Sequence, residues 1–221
     1  MDEARQNLVL PLDDRTAVEV LSGIERPSSE PPRERYIYYP DTTAVPEGVA
    51  ANVRGRSFKI LADVEVGKDC SGVLFAHGSR FGGHSLFLKD KKLTYVYNFL
   101  GIPPEQKFVS SEELKPGKYT LGVEFVREKA GEYHESLGTT KLYINDKVVA
   151  EGPMRAQVGK FTLCGDGLCV GRDSADAVAA EYTPETQGKF TGGTIQFVEV
   201  SVEKEQYRDL EREMAAAMSV D

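Results

Sequence analysis

Basic charge is scarce in this 221-residue sequence: 27 lysines and arginines stand against 35 aspartates and glutamates, for a formal net charge of −8. No basic stretch is long enough to track a phosphate backbone, which argues against nucleic acid as a partner. Apolar runs are short as well. None approaches the roughly 20 residues a helix needs to span a bilayer, so no membrane partner is expected. Cysteine occurs only at Cys70, Cys164 and Cys169, with no C-x-x-C pair, so a disulfide framework is not expected and at least one thiol is free. The opening stretch MDEARQNLVLPLDDR lacks a basic segment leading into an apolar one. No secretory signal is read there, and a reducing, cytoplasmic setting is the expectation. With 40% hydrophobic residues, the chain is long enough to bury a core without metal or disulfide staples.

Signatures of catalysis are missing too. The glycine-rich GSRFGG between His77 and His84 lacks the G-x-x-x-x-G-K-[ST] order and leads into a strand, not a helix. Its glycines permit a tight or bulged connection instead. No G-x-S-x-G nucleophile turn occurs. His77 and His84 would need a third nearby His or Cys to hold a metal, and none falls at ligand spacing. With His134, in a polar loop, they read as structural or solvated; no metal site and no cofactor is expected. Asp63 with Glu65, and Glu199 with Glu203, share strand faces but alternate with apolar neighbours, the pattern of a solvated outer face and not of a glycosidase dyad. Asp173 and Asp176 could offer oxygen ligands to calcium, although without EF-hand spacing.

What is present is strand signal. In residues 57–66, Phe58, Ile60, Ala62, Val64 and Val66 alternate with Lys59, Asp63 and Glu65, the period-two pattern of a half-solvated antiparallel strand. Further strands are read at 72–76, 85–89, 93–100, 119–127, 140–144, 148–151, 161–164 and 194–202. Turn residues such as Asp90-Lys91, Asn145-Asp146, Gly165-Asp166-Gly167 and Gly192-Gly193 separate them. No interval of 10–15 residues between strands has convincing helical periodicity, which argues against βαβ units. The expected fold is an all-β antiparallel sandwich over residues 36–202. Residues 1–35 read as a lead-in with a short helix at 16–26 and a proline-rich linker. Residues 203–221 carry Tyr207, Leu210, Met214 and Met218 at helical spacing and read as an amphipathic helix packed on the sandwich. Tyr95, Tyr97 and Phe99 share one strand face: core, or a surface on which sugar rings stack.

Residues 80–101, RFGGHSLFLKDKKLTYVYNFLG, resemble a passage from the C-terminal region of large bacterial arylsulfatases. The resemblance continues in order through Pro11-Leu12-Asp13-Asp14-Arg15, SEELKPGKYT at 111–120, LYINDKVVAEG at 142–152, VGRD at 170–173 and FTGG at 190–193. It implies a concanavalin A-like or laminin-G-like jelly roll with short terminal helices. Arylsulfatases hydrolyse sulfate esters with a formylglycine made in a C/S-x-P-x-R motif, beside calcium. Here no cysteine has that context. Ser29-Glu30-Pro31-Pro32-Arg33 fits literally, but in a proline-rich loop with too little chain before it for the family's α/β catalytic domain. The resemblance therefore implies a non-catalytic module, structural or docking, that is part of a sulfatase or partners a sulfatase catalytic domain or chain. The alternative is a module binding carbohydrate or sulfated glycan, with Arg80, His84, Tyr95 and Tyr97 as its binding residues. His84 stands where the family often has Trp. Lys91 stands where a hairpin glycine is usual, which implies a longer turn there.

Overall fold

The computed structural model describes residues 33–203, apart from 158–162, 164–166, 175, 184–185 and 187. The helices expected at 16–26 and after 203, the Ser29–Arg33 motif as a whole and the strand expected at 161–164 lie wholly or partly outside these residues. All regular structure among them is strand, and every pairing is antiparallel.

Among the described residues ten strands form two sheets. They are β1 (Arg35–Tyr38), β2 (Phe58–Ser79), β3 (Gly82–Lys89), β4 (Lys92–Asn98), β5 (Gln106–Val109), β6 (Gly117–Ala130), β7 (Ser136–Ile144), β8 (Lys147–Ala156), β9 (Leu168–Val170) and β10 (Thr191–Val202). Sheet A has the order β1-β10-β2-β6-β7-β8 and sheet B the order β9-β2-β3-β4-β5. β2 belongs to both. Its first half, from Phe58 to Val66, lies between β10 and β6; its second half, from Gly72 to Ser79, lies beside β3 and β9. The chain changes sheets at residues 67–71, where β10 also bulges between Thr191 and Gly193. Gly67 is required at this crossing, since a Cβ there would stand 2.2 Å from Gly192 O.

The inner faces close on one core. Ile60, Val64, Leu121, Val123 and Val198 from sheet A meet Leu74, Leu86, Leu88 and Tyr95 from sheet B. At one side the sheets are tied by a side chain: Gln106 Nε2 donates to Arg155 O (2.8 Å), and its Oε1 accepts from Arg155 N (2.7 Å).

Two hairpin turns test the local reading. β3 and β4 are joined by only Asp90 and Lys91, both left-handed at φ 50° and 61°. This corrects the expected longer turn: the two residues take the positive φ a tight hairpin demands without glycine. Leu114 N donates to Lys91 O (2.7 Å), which holds the strained residue in place. β7 and β8 are joined by Asn145-Asp146, as the sequence implied, with Asn145 at φ 53° and its Oδ1 accepting from Thr120 N (3.0 Å).

Sheet B is covered on its outside by the loop that runs from residue 171 to 190. Ala179 and Tyr182 pack over Val73, Ala76, Phe87 and Val96, a second small core. A loop laid on an apolar face must find partners for its backbone. Asp173, only 1% exposed, accepts from Ser174 N, Val178 N and Tyr182 OH. Asn98 Nδ2 donates to Val178 O, and Ala180 N donates to Glu105 Oε1.

Candidate binding site

The four residues proposed from sequence do not form one surface. Arg80 sits on the exposed β2–β3 turn, its guanidinium 4.8 Å from the Phe81 ring centroid and 3.4 Å from Asp176 Oδ1. His84, Tyr95 and Tyr97 are sealed inside the sandwich at 0% exposure. Period two put the two tyrosines on one face, and that face turns inward. A glycan cannot stack on them, so the surface proposed around them is corrected to core.

These rings form a polar nest within that core. His84 Nδ1 lies 3.1 Å from Tyr95 OH, and Tyr97 OH accepts from Gln157 N at 3.0 Å. His77 pairs across the strands with His84, their ring centroids 5.9 Å apart, and among the described residues no hydrogen bond reaches either His77 ring nitrogen or His84 Nε2. Burial pushes the His77 pKa down to about 4, with the Arg54 charge adding to the effect. Burial likewise holds His84 well below the usual range, and His77 adds to it. Both imidazoles are neutral at pH 7, as desolvation requires of a buried base. Burial also raises the Tyr95 and Tyr97 phenols.

Asp173 and Asp176 do not pair as calcium ligands. Asp173 directs its oxygens at three protein donors inside the cover loop, while Asp176 faces Arg80. Among the described residues no group of three His, Cys, Asp or Glu is placed to hold a metal ion. Asp63 and Glu65 lie on the outer face of sheet A, half-buried and exposed respectively. Cys70 is a buried thiol whose pKa burial raises.

The arrangement best suited to a ligand is a cleft of about 550 Å³ at the rim of the sandwich. Its floor is apolar: Val170, Phe190 and Ile195. Its walls carry Arg172 and Lys189 together with the hydroxyls of Thr42 and Thr194. Two segments distant in sequence are clamped together to make it. Phe190 N donates to Gly171 O (2.9 Å), joining the FTGG and VGRD stretches, and Arg172 Nη2 donates to Thr42 O (3.3 Å), 130 residues away. Among the described residues neither cation is held in an ion pair, and Lys189 is exposed. Among the described residues one acid, Asp41, borders the cleft. An apolar floor beside two cations and several hydroxyls suits a small anionic group carried on a polar ring.

No family model matches this chain, and no curated protein matches it. Among solved structures it is similar to domains LG4-5 of the mouse laminin alpha1 chain, at 13% identity and a TM-score of 0.43, covering 78% of this chain and 40% of that one. It is similar in the same degree to the LG1-3 region of the laminin alpha2 chain, at 13% identity and a TM-score of 0.43, covering 79% of this chain and 32% of that one. The chain thus spans less than half the length of these structures.

Sequence reasoning missed Thr42, Lys189 and Thr194. It had singled out VGRD and FTGG separately; that both are glycine turns flanked by a cation or an aromatic was the available signal. That they touch was not.

Proposed function

We propose that this chain is a non-catalytic β-sandwich binding module whose rim cleft takes an anionic sugar, sulfated or carboxylated. The observation that carries the reading is the placement of Arg172 and Lys189, neither in an ion pair among the described residues, over the apolar floor of Phe190, Val170 and Ile195. In a chain of net charge −8, a local pair of cations is what lets an anion approach. The test is a glycan array with the folded chain and with Arg172→Gln and Lys189→Gln. Sulfated or uronic-acid sugars should bind the parent, their neutral counterparts should not, and either substitution should weaken binding about tenfold. A clean array overturns the reading.

The arylsulfatase-like segments favour a second reading, docking against a sulfatase catalytic domain. VGRD and FTGG, two of those segments, are the ones that meet at the cleft. On this reading the chain alone turns over no sulfate ester, and a separately produced sulfatase catalytic domain of that family binds it in a pull-down. Turnover above a heat-killed control sinks the non-catalytic part of both readings.

A further inference from the structure

A second cleft, of about 480 Å³, opens on the far side of the segment that walls the first. Phe87 and Leu88 of sheet B and Tyr182 of the cover loop line it, with Thr183, Thr186 and Thr191 at its polar margin. Lys189 borders both clefts. The ridge that carries it is pinned on every side: Val73 N donates to Gly188 O (2.7 Å), Lys189 N to Thr186 O (3.0 Å) and Phe190 N to Gly171 O (2.9 Å). The ridge presses onto β2 at Gly72, which sits at φ 110° and where a Cβ would stand 2.4 Å from Lys189 O. The backbone is thus fixed while the ammonium stays exposed. Lys89 borders the second cleft, its Nζ donating to Glu181 O (3.3 Å). Among the described residues the acid there is Glu181, which already has its own cation in Lys107.

We infer that the two clefts form one track for a linear polyanionic sugar chain, with Arg172 at one end, Lys189 on the ridge and Lys89 at the other end. This rests on the rim-cleft reading above and extends it. A lysine is a flexible point charge with three donors, so one on a ridge serves an anionic group on either side of it. Two separate small ligands would compete for Lys189. One linked chain crossing the ridge shares it and fills the second cleft at the high effective concentration that linkage supplies. The lining favours sugar over peptide. Both clefts pair an aromatic ring, Phe190 or Tyr182, with threonine hydroxyls, and the backbone groups of the ridge named above are already paired, leaving a peptide no strand edge to extend there.

The experiment titrates the full chain, at fixed salt, with fully sulfated linear oligosaccharides of two and eight sugar units by calorimetry. The same titrations are run on Arg172→Gln, Lys189→Gln and Lys89→Gln, each checked for an unchanged Tm. The longer chain should bind about tenfold tighter than the shorter. Lys89→Gln should erase most of that gain and leave the disaccharide unaffected, while Lys189→Gln should weaken both. If the two lengths bind alike, or Lys89→Gln changes neither, the track is wrong and the rim cleft stands. If neither length binds, the rim-cleft reading itself fails. A polyglutamate of matched charge that binds as tightly as the octasaccharide would overturn the assignment to sugar.

Discussion

Along the first half of β2, buried and half-exposed residues alternate from Phe58 to Val64, with Glu65 exposed before Val66. Along β3 and β4 almost nothing alternates: every residue from Gly82 to Leu88 and from Leu93 to Asn98 is buried. The two sheets share a strand and a core, yet sheet A shows its outer face to water and sheet B does not. The difference comes from the cover loop, residues 171–190, which fills the place a third layer would take. Sheet A is held by the repetition of its pattern, so no single outer side chain matters much. Sheet B's outer face is held by an irregular segment fastened at a few side chains, Asp173 foremost among them. Removing a fastening should therefore uncouple the sheets in a way that no outer-face change on sheet A can.

The largest effect is expected from Asp173→Ala. It leaves Ser174 N, Val178 N and Tyr182 OH without an acceptor, and a broken buried network of this kind costs about 4 kcal/mol. Hydrogen exchange should rise in β3 and β4 before β6 and β7. Equal acceleration across both sheets would show that cover and sandwich open as one unit, and the contrast drawn above would fail.

Acid comes next. Below pH 6.5 the unfolded chain takes up a proton at His77 that the fold refuses until pH falls to about 4. Stability is thus complete above pH 6.5 and drains as pH falls from there to about 4, by on the order of 3 kcal/mol from His77 alone. His84 pulls the same way. Urea midpoints at pH 7.5 and 4.5 measure the loss, and His77→Leu should shrink it. A midpoint that does not move between the two pH values would rule out a buried neutral imidazole.

A smaller change, of opposite sign, belongs to the β3–β4 turn. Lys91→Gly relieves a left-handed non-glycine residue at φ 61° and should raise stability by about 1 kcal/mol, read as a higher Tm. An unchanged or lower Tm would mean that Leu114 N, bonded to Lys91 O, already offsets the strain.

The smallest effect marks sheet A. Lys59 reaches Glu124 at 3.8 Å and lies 4.9 Å from the Tyr143 ring centroid, on a face open to solvent. Lys59→Ala should move stability by no more than about 0.5 kcal/mol. A loss of 2 kcal/mol or more would put sheet A's outer face on the same footing as sheet B's.

The contrast also explains what the sequence disclosed. Where one strand face meets water, charged residues on that face announce it, and Lys59, Asp63 and Glu65 made the first half of β2 legible for that reason. In β4 the only charge is Lys92 at its start, so period two told that Tyr95 and Tyr97 share a side but not which side is the core. β1, β5 and β9 are three or four residues long, too short for any period, and they exist because partners elsewhere pair with them. β2 itself reads as two strands, 57–66 and 72–76, with the crossing at 67–71 between them, where Gly67 and charged residues interrupt the apolar pattern. The rim cleft was the least legible feature. Thr42, Arg172 and Lys189 converge only through pairings between distant parts of the chain, and nothing local in their surroundings encodes those.

β2 has one more consequence, and it concerns time. Its first half leaves the ribosome early, but β10, the strand that seals one of its edges, is the last of the ten to be made. At ordinary elongation rates the roughly 140 residues between Phe58 and Val202 take about 7 to 30 s to synthesise. Throughout that interval Ile60, Val64 and Val66 stand on a strand with an open edge, the template on which chains pair with one another. Yield of folded protein in a cell should therefore depend on chaperone capacity and synthesis rate more than on the stability of the finished sandwich.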